Sequence, residues 1–148
     1  PLGGLVVLTI YAVVVGVGIR PAIELAEAAG LSIDDGVAVD ASLRSSEPDI
    51  YAAGDVAAAE HPILGMRIRV EHWANALNGG PVAARSMLGQ DVSYDVLPFF
   101  YSDQYDLGLE YSGNVGPEGY DEVVVRGGFG LGLLALFGQP GLLLEVPP

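Results

Sequence analysis

Three short stretches of this chain hold residue types at spacings that could do chemistry. Gly16-Val17-Gly18 follows an apolar run and precedes a helical pattern. A GxG in that position lets a dinucleotide pyrophosphate approach the backbone. Asp40 lies 22 residues after Gly18, where a ribose-binding acid could sit. The third position is Pro21, not Gly or Ala, so the same residues equally describe a tight strand-to-helix crossover. Gly54-Asp55 comes next, behind the apolar Ile50 to Ala53. A carboxylate at the carboxyl end of a strand can accept hydrogen bonds from sugar or polyol hydroxyls, and Gly54 leaves room beside it. The competing role for Asp55 is to cap a turn at Ala57-Ala58-Ala59. Glu71-His72-Trp73-Ala74-Asn75 then opens a helix, whose amino end presents free N–H groups and positive potential. Trp73, the sole tryptophan, could cover a planar ligand or pack in a domain interface. His61 and His72 have no ligand spacing and make a poor metal pair. No GxSxG elbow, HExxH, Walker lysine or paired-cysteine motif is present.

The elements that must position these residues can be read in outline. Two buried strands are expected near Leu5 to Ile10 and Ala12 to Val17, rich in Val and Ile. A helix should follow, with Pro21 near its first position, Gly30 past its end, and Ile23, Ala26 and Ala29 inward. Asp34-Asp35-Gly36 signals a turn, Val37 to Val39 a short strand, and Ser45 to Pro48 a loop. Asp49 to Asp55 reads as a buried strand running into a turn. Ile63 to Val70 reads as a strand with Arg67 and Arg69 on one face. Glu71 to Leu88 has helix composition, with a kink expected at Gly79-Gly80-Pro81. Aromatic residues crowd Pro98 to Tyr111, with strands expected at Leu107 to Tyr111 and Glu122 to Arg126. The segment 127–148, with Glu145 as its one charge, fits neither an amphipathic helix nor an alternating strand.

Composition removes several classes of function. The 148 residues are 51% hydrophobic, which permits a packed core and disfavours disorder. Six arginines, no lysine and 19 Asp and Glu give a formal charge of -13, so no nucleic acid is expected as a partner. Without cysteine there is no disulfide, thiolate zinc site, iron–sulfur ligation or Cys nucleophile in this stretch. Residues 1–19 carry no charge and would register as a membrane or signal segment by hydropathy. Gly3, Gly4, Gly16 and Gly18, the β-branched content and the absence of a basic leader argue instead for strands, so no membrane partner is expected.

Taken together, AVVVGVGIRP, DDGVAVD, SSEPDIYAAGDVA, RIRVEHWANALNGGPVAARSMLG and PFFYSDQYDLGLEYSG resemble FAD-dependent NAD(P)H:ferredoxin or rubredoxin reductases over about residues 12–126. PDIYAAGDVA is shared by the wider group of flavoproteins with two dinucleotide-binding domains. VEHWANA and SDQYDLG point to the ferredoxin-reductase branch. The resemblance implies an α/β chain: part of an FAD/NAD(P)-binding three-layer fold, then the start of an α+β C-terminal reductase domain. Residues 1–20 would end the NAD(P)H-binding domain, 21–92 would belong to the FAD-binding domain, and 93–148 would begin the C-terminal domain, with an atypical tail.

The same resemblance implies roles. Asp55, beside Gly54, would hydrogen-bond the FAD ribityl chain. Glu71, His72 and Trp73 would stand where a helix start faces the flavin pyrimidine end, with Glu71 toward the nicotinamide side. Phe99, Phe100 and Tyr101 would approach the flavin from the C-terminal domain. NAD(P)H would supply a hydride, and an iron–sulfur or rubredoxin-type acceptor would take single electrons, in the cytoplasm. The flavin does this chemistry, so no side chain is assigned a catalytic role and no metal is expected. Both GxGxxG loops of the family are missing, and residues 1–11 and those after Arg126 depart from its pattern. The chain is therefore expected to be a reductase fragment that is inactive alone and binds FAD weakly or not at all. The alternative is a non-catalytic acidic α/β interaction module that contacts partners through Phe99 to Tyr105.

Overall fold

A computed structural model describes residues 15–105, 107–115, 122–128, 131–137 and 142–145. The architecture is mixed α/β, with two sheets and one long helix between them in sequence.

The first sheet has three short strands. β1 (Val37–Val39), β2 (Ala57–His61) and β3 (Met66–Arg69) lie in that order, β2 parallel to β1 and antiparallel to β3. Ala57, Ala58 and Ala59 are all buried, so the central strand can be covered closely on both faces. Val37, Val39, Leu43, Val82, Ala83 and Tyr94 complete the core. Gly65, at φ 64°, turns the β2–β3 hairpin, and its N–H donates to His61 O at 2.9 Å.

This strand assignment corrects two readings. Ile50 to Ala53 do not form a buried strand: Tyr51 makes one isolated bridge with Arg44, and Ile50 is 38% exposed. Asp49, at φ 64°, breaks extended pairing just before them. The strand comes later, at Ala57–His61, because the three alanines fit between β1 and β3. The third strand is also shorter than Ile63 to Val70, since Ile63 to Gly65 are used by the turn.

α1 (Glu24–Ala28) begins later than Pro21 suggests, with Ile23 as its N-cap. Of its expected inward residues, Ala26 packs against the core and Ala29 is exposed. α2 (Trp73–Met87) runs unbroken through Gly79-Gly80-Pro81. Packing holds that stretch helical. A Cβ on the buried Gly79 would meet Ala53 Cβ and Leu43 Cδ1 at 3.7 Å each, so glycine permits the close approach.

The second sheet is antiparallel, in the order β4 (Phe99–Gln104), β5 (Leu107–Ser112), β8 (Leu142–Glu145), β7 (Leu131–Phe137), β6 (Glu122–Gly128). The segment 127–148, which as a sequence fits neither an amphipathic helix nor an alternating strand, holds the strands β7 and β8. A continuous apolar run has no period of its own, and Leu131–Phe137 becomes a strand through pairing with β6 on one side and β8 on the other. Of the early strands, Leu5 to Ile10 lies outside the described residues, as does Ala12 to Val14. Val15 to Val17 have no regular structure. Among the described residues, no helix is long and apolar enough to cross a membrane.

Candidate functional site

The strand β3 runs through Val70 directly into the amino end of α2, and that end meets β4. His72 is the N-cap, extended at ψ 142°, and no side chain caps the helix. The Trp73 and Ala74 N–H groups have no acceptor among the described residues. Asn75 steadies the entry, its Nδ2 donating to Val70 O at 2.8 Å. The buried Tyr94 in turn donates its hydroxyl to Asn75 Oδ1 at 2.9 Å. Burial raises the Tyr94 phenol pKa, so the hydroxyl keeps its proton.

A cleft of about 410 Å³ opens at this junction. Glu71, His72, Trp73 and Ala74 form one side, and Phe99, Phe100 and Tyr101 form the other. The His72 ring tilts against Phe100 at 5.3 Å between centroids and meets Tyr111 edge-on at 6.4 Å. Its Nδ1 is buried and has no hydrogen-bond partner among the described residues. Trp73 stands at the edge, 72% exposed.

Arg69 organises the charge behind the cleft. Its Nη1 lies 2.6 Å from Glu71 Oε1, its Nε lies 3.2 Å from Asp35 Oδ2, and Nη1 also donates to Asp55 O at 3.3 Å. The side chain is 10% exposed. Burial works against the cation, but the Glu71 and Asp35 carboxylates outweigh it and raise the guanidinium pKa. Sequence reasoning pairs Arg69 with Arg67 and misses this role. The available signal is its position two residues before Glu71 on a strand leading straight into a helix. Arg67 is structural: its Nη1 donates to Val39 O and Ala58 O at 2.7 Å each, and its Nη2 to Glu60 Oε1 at 2.8 Å.

Gly54 and Asp55 sit in a one-turn 3-10 helix, Gly54–Val56, at the entrance to β2. Asp55 is therefore at the amino end of a strand, not at the carboxyl end of one. It does not line the aromatic cleft, and its side chain is exposed. The turn nonetheless packs on α2: Gly54 adopts φ 76°, and a Cβ on it would stand 3.5 Å from Ala76 Cβ. The structure thus brings Glu71, His72 and Trp73 together with Phe99 to Tyr101, and sets Gly54-Asp55 against the same helix one turn along.

Other candidates resolve into structure. Asp40 Oδ1 accepts from Ser42 N at 2.8 Å, Ser42 Oγ at 2.7 Å and Arg44 N at 3.0 Å, so it closes a turn. Partial burial opposes its ionisation, but these bonds, with the Arg44 charge, lower the carboxyl pKa overall. Gly16 and Gly18 are exposed, and among the described residues a Cβ on either would meet nothing within 4 Å. His61 is buried, with Nδ1 accepting from Leu64 N at 3.3 Å and Nε2 placed 3.1 Å from Val96 O. Among the described residues, no three His, Cys, Asp or Glu gather as a metal site.

The family model described as pyridine nucleotide-disulphide oxidoreductase matches residues 6–80, half of the chain. The ferredoxin–NAD(+) reductase component of the anthranilate 1,2-dioxygenase system of Burkholderia cepacia is 44% identical over 87% of this chain and 31% of its own length. Putidaredoxin reductase of Pseudomonas putida is 37% identical over 78% of this chain and 27% of its own. The crystal structure of a ferredoxin reductase from Rhodopseudomonas palustris superposes with a TM-score of 0.80 at 36% identity, over 88% of this chain and 33% of that one. The chain thus spans roughly a third of the length of these relatives. With the family's sequence pattern running into α2 and the fold of a solved reductase extending across both sheets, the chain belongs to the pyridine nucleotide-disulphide oxidoreductases.

Proposed function

We propose that this chain forms the flavin-facing part of an NAD(P)H-dependent ferredoxin or rubredoxin reductase. The observation that carries the reading is the cleft between the amino end of α2 and β4. It combines aromatic walls, uncapped helix N–H groups and a buried His72 Nδ1 without a partner among the described residues. A planar, hydrogen-bonding ring system fits such a site. The reductase names of the relatives favour this reading over a non-catalytic module.

Bound FAD would supply the redox chemistry, taking a hydride from NAD(P)H and releasing single electrons to an iron–sulfur or rubredoxin-type acceptor. The chain's own residues would bind and tune it. The Trp73 and Ala74 N–H groups, at the positive end of α2, would stabilise negative charge by about 0.3–2 kcal/mol. Phe99, Phe100 and Tyr101 would exclude water, with Trp73 as outer cover. Asp55, one helical turn along α2, would take the ribityl hydroxyls, with Gly54 giving close access. Residues 21–92 are assigned to the FAD-binding domain, 1–20 to the end of the NAD(P)H-binding domain and 93–148 to the C-terminal domain. A cytoplasmic location follows from the same reading.

Flavin titration of the purified chain tests it, with Trp73 emission and flavin absorbance as signals. Weak but saturable binding is expected, weakened about tenfold or more in Asp55→Ala, which removes a charged hydrogen-bond acceptor. A folded chain whose Trp73 emission is indifferent to FAD at concentrations up to about 1 mM refutes the proposal.

A further inference from the structure

The cleft and the Gly54–Val56 turn are joined by a single side chain. Arg69 reaches Glu71 at 2.6 Å, Asp35 at 3.2 Å and the Asp55 carbonyl at 3.3 Å. These three acceptors lie on three separate segments: the entry to α2, the turn before β1 and the turn before β2. The guanidinium reaches this set with donors on two separate nitrogens, Nη1 and Nε, whereas a lysine ammonium would offer its three donors from a single atom. The guanidinium stem is sheltered, with the Arg69 side chain 10% exposed, while its partner carboxylates Asp35 and Glu71 reach solvent at 76% and 35% exposure.

We propose that Arg69 is the positioning residue of the flavin cleft. It fixes the Glu71 carboxylate, in neutralised form, at the cleft wall, and ties the Gly54–Val56 turn to the same strand. The Glu71 and Asp55 regions are thereby set relative to each other by one guanidinium. This inference deepens the flavin reading and rests on it for the ligand, but not for the positioning itself. Arg69 does not line the cleft of Trp73 and Tyr101, so its effect there passes through Glu71 and the turn; it lines instead a neighbouring hollow of about 390 Å³ with Glu71, His72, Phe100 and Tyr111.

Two reporters lie at the two ends of this link. Trp73, the sole tryptophan, lines the cleft with Glu71. The Ala57 N–H donates to Gly54 O and closes the turn. The experiment compares the chain with Arg69→Met, Arg69→Lys and Arg69→Met/Glu71→Gln. It follows caesium quenching of Trp73 emission and hydrogen exchange of the Ala57 amide. In Arg69→Met, an unpaired Glu71 should attract caesium and raise the quenching constant about twofold. Arg69→Lys should restore quenching, because the charge is kept. It should not restore Ala57 protection, expected to fall about tenfold in both variants, because the fork is lost. Adding Glu71→Gln should return quenching to the parent value.

Unchanged quenching and unchanged Ala57 protection overturn the proposal. So does a uniform loss of protection along the β2–β3 ladder, or failure of both single variants to fold, since either makes Arg69 a general stabiliser. FAD titration separates the ligand from the link. If the parent chain binds FAD, Arg69→Met and Glu71→Gln should each weaken it about tenfold and together no more than the larger single loss; additive losses overturn the proposal. If the parent does not bind FAD, the flavin reading fails, and quenching and exchange still decide the positioning role.

Discussion

Gly36 offers a severe test of how this site is packed. It follows Asp35, one of the two carboxylates on Arg69, and immediately precedes β1. Its φ of 154° belongs to a region that side-chain-bearing residues rarely adopt. A Cβ added there would stand 2.6 Å from the Val56 carbonyl oxygen and 2.9 Å from Arg69 Cδ. An ordinary carbon–oxygen contact is about 3.3 Å or longer, so the first gap is short by about 0.7 Å. Both neighbours are committed: Val56 carries the backbone into β2, and Arg69 is held by three acceptors. The backbone strain of Gly36→Ala costs about 1–3 kcal/mol and the overpacking about 1–3 more, a total of about 2–6 kcal/mol. Gly65→Ala is the control. Its φ is 64° and nothing lies within 4 Å of its Cβ position, so it costs only the left-handed penalty of about 1–2 kcal/mol. Urea unfolding followed by circular dichroism at equal protein concentration compares the two. Gly36→Ala should unfold at clearly lower urea, or be unfolded without it, since small domains hold only about 5–15 kcal/mol. Equal midpoints for the two variants refute the packing described around Val56 and Arg69.

Two further predictions concern pH. Asp40 has a lowered carboxyl pKa in the folded chain, so it adds stability above the unfolded value of about 3.9 and loses it as pH falls through the folded value; Asp40→Ala should flatten the acid limb of a stability–pH curve and cost about 1–2 kcal/mol at neutral pH, measured by urea unfolding. Tyr94 has a raised pKa, so its contribution is complete below about pH 10 and is lost as pH rises through the folded value; Tyr94→Phe should remove that alkaline loss, at a cost of about 1 kcal/mol near neutrality from the unpaired Asn75 Oδ1, read in the same assay.

Local signals find some elements and misplace others for identifiable reasons. Val37 to Val39 is legible because a turn signal, Asp34-Asp35-Gly36, fixes its start. The helix of Trp73 to Met87 is legible by composition, but its continuity through Gly79-Gly80-Pro81 is not. Propensity predicts a break there, while the contact of Gly79 with Leu43 and Ala53 overrides it, and those partners are about 26 to 36 residues away in sequence. The central strand is misplaced for the opposite reason. Ile50 to Ala53 looks more strand-like than Ala57 to His61, yet alanine is what a strand needs when it is covered on both faces. The strands within 127–148 are illegible because their definition is pairing, and pairing is non-local.

The candidate site is legible where one short segment carries its chemistry, and illegible where it is assembled. Glu71, His72 and Trp73 are consecutive and open a helix, so their shared location follows from sequence. Their meeting with Phe99 to Tyr101 requires the extended stretch from Asp91 to Pro98, which Tyr94 N–H to Ala41 O at 2.7 Å and His61 to Val96 O hold across the first sheet. Asp55 shows the limit from the other side. A carboxylate after an apolar run suggests the carboxyl end of a strand, and the structure puts it at the amino end of the next one. What keeps it near the helix is not strand geometry but Gly54 against Ala76 and the Arg69 bond to its carbonyl. Arg69 itself lies 14 residues from Asp55 and 34 from Asp35, so its nearness to Glu71 is visible in the sequence but its two distant partners are not. Residues that contact a ligand can be guessed from type and spacing, whereas residues that position them are recognised only once the chain has brought their partners together.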